Sequence, residues 1–187
     1  MSLTALLGCN SGQANAPAPG PTLIEVRDGS TVLATVRPGK PCRATIGPNE
    51  MIVGTDPLVS QLGESRWSGE SSPSGVIIHR DGAMVSRLYP VGEADSAGAY
   101  DASGVALARI AKVGDKATVT DSGSRVVHTL QMQAGTIVVD DAPPPKGTKI
   151  TGTTDLVLAA LISSAELGPE LRMLAACERL SATKQVR

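Results

Sequence analysis

Few residues in this chain are equipped for chemistry: the thiols Cys9, Cys42 and Cys177, the imidazoles His79 and His128, and the adjacent carboxylates Asp140 and Asp141. A thiol becomes a nucleophile when a base or cation lowers its pKa. Cys42 has only Lys40 and Arg43 nearby in sequence, and a partnership with His79 or His128 would need the fold to bring them together. The string His79-Arg80-Asp81-Gly82 has the order of a phosphoryl-transfer loop whose Asp acts as base. The Gly-rich nucleotide loop, the DFG string and the metal-binding Asn are missing, so Asp81-Gly82 reads as a hairpin turn. The stretch Gly63 to Trp67, "GESRW", lacks the second Gly of a nucleophile elbow. Asp140 and Asp141 would need further oxygens at set spacing to hold a divalent cation, and they read as a solvated strand end before Pro143, Pro144 and Pro145. With no C-x-x-C spacing and two His in all, a zinc site has no support. Cys42 and Cys177 could pair in an oxidising compartment, but separate burial as small apolar residues is the expectation. No catalytic residue, metal site or cofactor is assigned, and the reading leans away from an enzyme.

The elements that would position any site must be built from an unusual palette. The 187 residues contain no Phe, one Trp and two Tyr, so Val, Ile, Leu and Ala must fill the core. A chain of this length fits one domain, with room for a tail. Twenty Gly and thirteen Pro favour turns over long helices. Seventeen basic and eighteen acidic residues, neither in a long block, give no support for a nucleic-acid surface or a polybasic membrane patch.

From Leu23 the chain repeats itself. "LIEVRDGSTVLATVRPG", "VIIHRDGAMVSRLYPVG", "AYDASGVALARIAKVG" and "ATVTDSGSRVVHTLQMQAG" each run strand, Asp/Gly turn, strand, turn. Asp and Gly supply the backbone angles that tight hairpins need, and the flanks are β-branched runs. Asp81, Asp101 and Asp121 recur every twenty residues. The first unit lies 53 residues before the second, which weakens a solenoid and leaves an antiparallel meander as barrel or sandwich. Eight to eleven strands can be counted. Residues 61–75, "QLGESRWSGESSPSG", read as a long polar loop. Arg66 and Trp67 at its centre are the best binding candidates, with Trp67 over a barrel mouth as the alternative.

Past the prolines the pattern changes. Thr154 or Asp155 can cap a helix beginning at Leu156, and Leu156 to Ile162 are seven consecutive apolar residues. A helix apolar all round is buried in protein or membrane, and this one is far short of the roughly 20 residues a bilayer needs. Gly168-Pro169 interrupts it. Leu171, Leu174, Ala175 and Leu180 then line one side of a second, amphipathic helix, expected to pack on the outside. The expected fold is mainly β with a C-terminal helix: an antiparallel hairpin meander forming a barrel around or against an apolar helix. Its divisions are a residual signal at 1–9, a flexible tether at 10–22, the β-meander domain at 23–167, and a short amphipathic helix and tail at 168–187.

Hairpins of the "VRDGSTVLATV" and "YDASGVALARI" kind followed by the wholly apolar "DLVLAALI" resemble the tubby C-terminal-like superfamily, which includes LURP-one-related proteins and phospholipid scramblases. The resemblance implies a closed twelve-stranded barrel around a hydrophobic helix. The basic phosphoinositide-contacting residues of the tubby branch and the calcium-binding and Cys-rich features of scramblases have no counterparts here.

The N-terminal "LLGC" resembles the lipobox of bacterial lipoproteins, with Leu6, Gly8 and Cys9 in the expected places and Leu7 less typical. The resemblance implies that Cys9 is diacylated and becomes the N-terminus, with "NSGQANAPAPGPT" as a tether that cannot bury enough surface to order itself. Only eight residues precede Cys9, none of them Lys or Arg, whereas a secretory signal needs a charged segment and a longer apolar run, so either Met1 lies inside a longer signal or the match is chance. The leading expectation is a non-enzymatic lipoprotein of the cell envelope, held to the membrane by lipid on Cys9, whose β domain binds a protein or envelope component. The alternatives are a cytoplasmic tubby-like or LURP-one-like module that binds lipid or membrane surfaces, and an enzyme using the 61–75 loop.

Overall fold

A computed structural model describes residues 22–54, 58–62, 64–72, 75–89, 94–140 and 147–182. Strands β1 (Ile24–Asp28), β2 (Thr31–Arg37), β3 (Cys42–Ile46), β4 (Asn49–Val53), β5 (Leu58–Leu62), β6 (Ser65–Ser72) and β7 (Gly75–Arg80) lead into β8 (Ala83–Tyr89), β9 (Ser96–Asp101), β10 (Ala106–Val113), β11 (Lys116–Thr120), β12 (Val126–Gln133), β13 (Thr136–Val139) and β14 (Lys149–Thr151). Helices α1 (Leu156–Ser163) and α2 (Pro169–Ala182) follow. Each strand pairs antiparallel with its neighbours in the chain, and β1 pairs with both β2 and β14, so the meander closes into a barrel. Among the described strands, closure leaves no unpaired edge to recruit another chain.

The repeated Asp turns now have a geometric reason. Two strands take the chain out and back, so a twenty-residue period returns each turn to the same end of the barrel. Asp28, Asp81, Asp101 and Asp121 all sit at the connections that follow odd-numbered strands. Gly29 and Gly82 supply positive φ values of 55° and 86° at two of these turns. At the third, the Asp101 carboxylate accepts from the backbone N–H groups of Ser103 and Val105. At the fourth, Asp121 accepts from those of Gly123 and Arg125.

A ring of eight strands is just wide enough for wall side chains to meet, so fourteen leave a void that something must fill. Both helices fill it. All eight residues of α1 are buried, against the wall of β10, β11 and β12. The α2 helix packs on β2, β3 and β4, nearly opposite in the ring, and on α1. Space for two helices explains the small inner wall, where Ala34, Ala44, Ala97, Ala99, Ala108 and Ala117 are buried, and a core that needs no Phe. The expected barrel around an apolar helix is present, with Asp155 as cap: its Oδ1 accepts from Val157 N and Leu158 N at 3.0 and 3.1 Å.

Three expectations are corrected. First, α2 lies inside the barrel, so the domain continues through Ala182 and does not end at 167. Its two arginines find partners there: Arg179, 4% exposed, donates to the Asp155 carboxylate at 2.6 and 3.0 Å and to the Ala94 carbonyl, and Arg172 donates to the Ile162 carbonyl. Second, Cys42 and Cys177 form a disulfide that ties the start of β3 to α2 across a sequence separation of 135. Third, most of the polar 61–75 stretch is strand: β6 hydrogen-bonds to β5 on one side and β7 on the other, and this two-sided pairing overrides a Ser- and Gly-rich composition. The described residues form fourteen strands, above the eight to eleven legible in the sequence and the twelve implied by the tubby-like resemblance.

Candidate functional site

The residues singled out from the sequence do not form one site. Arg66 and Trp67 are consecutive on β6 and therefore face opposite ways. Trp67 is buried in the core, whereas Arg66 is exposed. The Arg80 guanidinium, cross-strand from Trp67, lies 5.7 Å from its ring centroid. The backbone of Arg66 exchanges bonds with Asp81, whose Oδ1 and N each engage it at 2.8 Å. Asp81 is therefore a tie between the turns at this end of the barrel. Cys42 is consumed by the disulfide, and His128 is fully buried on the inner wall, so neither joins the half-buried His79. Asp140 N donates to the Thr129 carbonyl, while Asp141 and Cys9 lie outside the described residues. Among the described residues no group of three or more His, Cys, Asp or Glu is placed to hold a metal ion, and no helix is long and apolar enough to cross a membrane.

Among the described residues, two concavities on the outer wall bear on function. The smaller, about 240 Å3, is lined by Arg87, Tyr89, Tyr100 and Gly104. Its two tyrosines meet edge to face at 5.9 Å. A Cβ on Gly98 would come within 2.8 Å of the Tyr100 ring, so this glycine is the seat on which the ring lies. The Arg87 Nε is buried beside them without a hydrogen bond.

The larger, about 390 Å3, is lined by Leu23, Thr35, Arg37, Arg43, Thr45 and Glu50. It is assembled by the β2–β3 hairpin, in which Thr35 faces Thr45 and Arg37 faces Arg43. These residues alternate with the buried Ala34, Val36, Cys42, Ala44 and Ile46, which fixes them on the outer face. Two guanidinium groups and two hydroxyls thus converge on one depression. Glu50, paired with Thr45 on β4, comes no nearer to Arg43 than 3.9 Å, with both side chains more than half exposed. Glu25, the next outward residue beyond Thr35, is already engaged by Arg27 at 3.0 Å. Sequence reasoning passed over this quartet, although its signal was present: the paired residues are equidistant from Lys40 at the hairpin tip. No family model, no curated protein and no solved structure matches this chain.

Proposed function

We propose that this protein is a membrane-anchored lipoprotein of the cell envelope whose β domain binds a protein or envelope component and catalyses no reaction. The observation that carries this reading is the buried Cys42–Cys177 disulfide. Such bonds form and persist in oxidising compartments and are rare where thiols are kept reduced. The lipobox-like Leu6, Gly8 and Cys9 and the Pro-rich stretch after them support the same compartment, and a tether would hold the barrel away from the bilayer. The dispersal of Cys42, His79, His128 and Asp81 supports binding over catalysis. The test is fractionation of native cells expressing the wild-type chain or Cys9→Ser. The wild type is expected in the membrane fraction and extractable only by detergent, with the variant released; equal release of both would sink the reading.

A second reading draws on α1 lying wholly inside a barrel: a cytoplasmic tubby-like or LURP-one-like module that binds lipid or membrane surfaces. It requires Cys42 and Cys177 to remain thiols in the cell. Acid-quenched alkylation of intact cells distinguishes the two, since only the cytoplasmic form would be labelled at both cysteines.

A further inference from the structure

We propose that the outer wall of β1 to β4 binds a phosphate group, held by Arg37 and Arg43 with help from Thr35 and Thr45. The starting observation is a conflict built into the β2–β3 hairpin. Arg37 and Arg43 are directly opposite, on the same face, and like charges so placed destabilise a sheet. Nothing in the fold needs them: both are exposed, and the core contacts of the hairpin are made by Val36, Cys42 and Ala44. Among the described residues Arg37 has no ion-pair partner, and Glu50 sits at the edge of salt-bridge distance from Arg43. A local arrangement that costs stability and has no packing role marks a functional position.

The chemistry of the depression specifies the missing partner. A carboxylate is satisfied by one guanidinium fork, whereas a phosphate offers three or four acceptor oxygens around a tetrahedral centre. Two forks approaching from paired strands, with the Thr35 and Thr45 hydroxyls between them and Glu50, match that larger acceptor set. The Glu50 carboxylate keeps the empty hairpin tolerable and weakens the site for any anion. Lys40, exposed at the tip of the same hairpin, adds a third positive charge. The depression also touches Leu23, where the chain enters the barrel, so in an anchored molecule it lies at the root of the tether. The proposal rests on the binding-domain reading above for its ligand's setting. The phosphate can come from a lipid headgroup or from a soluble phosphate ester.

The test uses the full chain carrying Cys9→Ser, so that lipidation has no part in the result. Its thermal unfolding is followed against inorganic phosphate at constant ionic strength, and its sedimentation is followed with vesicles of phosphatidylglycerol or of phosphatidylcholine. Saturable stabilisation by phosphate is expected, weakened about tenfold or more in Arg37→Thr and in Arg43→Thr and strengthened in Glu50→Gln. Without phosphate, Arg37→Thr should melt about a degree higher, because the like-charge pair is gone. Additional binding to phosphatidylglycerol vesicles, lost in the same Arg variants, assigns the phosphate to lipid, and phosphate binding with no vesicle binding assigns it to a soluble ester. Equal phosphate responses in the wild type and all three variants, or measurable vesicle binding that both Arg variants keep in full, overturns the proposal. Because Cys9 is absent from every sample, failure here leaves the anchoring test untouched.

Discussion

The two helices inside the barrel occupy the same kind of space and are held there by opposite means. The α1 helix has no charge in eight residues and every one of them is buried, so apolar transfer and close packing suffice. The α2 helix buries Arg179 and half-buries Arg172 and Glu178, and such groups need specific partners. Arg179 closes on Asp155, Arg172 on the Ile162 carbonyl, and the disulfide fastens Cys177 to the wall. Glu178 has no such relief among the described residues: burial pushes its carboxyl above the usual range. A barrel too wide for its own side chains thus takes one filler that fits by shape and another that must be pinned.

If that contrast is right, the pins of α2 should be its largest single contributions. Replacing both Cys42 and Cys177 by Ala removes a cross-link over a separation of 135 residues, expected to lower unfolding free energy by about 5 kcal/mol on the chain-entropy view. Chemical denaturation with matched m-values would check it. A loss well under this figure would mean that α2 is seated by packing, as α1 is. Arg179→Ala comes next at about 3 kcal/mol, because it takes from the half-buried Asp155 carboxylate its guanidinium partner and leaves only the two helix-capping bonds. A double-mutant cycle with Asp155→Ala should show strong coupling between the two.

For α1, the sharpest probe is Leu161→Ala, which opens a cavity beside the inner wall and should cost about 3 kcal/mol with no dependence on salt or pH. The smallest effect belongs to Glu178. Its folded pKa is raised, so the folded state binds the proton more tightly, and this group's contribution falls as pH rises from the ordinary Glu value to the raised one. Glu178→Gln is therefore expected to stabilise modestly at neutral pH, and the gain should vanish below the ordinary carboxylate range. The turn carboxylates behave oppositely. Hydrogen bonds from the Ser103 side chain and the Val105 backbone lower the pKa of Asp101, and those from Arg125 lower that of Asp121. Their contribution is present at neutral pH and is lost on acidification through the lowered values.

The same contrast explains what the sequence made legible. Seven apolar residues in a row from Leu156, too few to span a bilayer, point to burial within the protein, and the Asp/Gly turns announce hairpins through their backbone demands. By contrast, α2 looks like a surface helix, because the groups that satisfy Arg179 and Arg172 come from Asp155, Ala94 and Ile162, distant in sequence or on another element. "SRWSGESS" in β6 looks like a loop, because a strand paired on both sides draws its stability from the backbone. Separate burial of Cys42 and Cys177 was the wrong expectation for the same reason: two cysteines 135 residues apart meet only through the closed topology. Arg66 and Trp67 looked like a pair because they are adjacent, and strand alternation separates them. Arg37 and Arg43 looked unrelated until hairpin register set them face to face.

The central claim is that this barrel works in an oxidising envelope on a lipid anchor, and an intact mass of the protein purified from its native cells tests it most directly. The predicted species begins at Cys9, carries acyl chains on that residue, and takes up alkylating reagent at Cys42 and Cys177 only after reduction. A species that still begins at Met1, carries no lipid and is alkylated at Cys42 and Cys177 without reduction would contradict it.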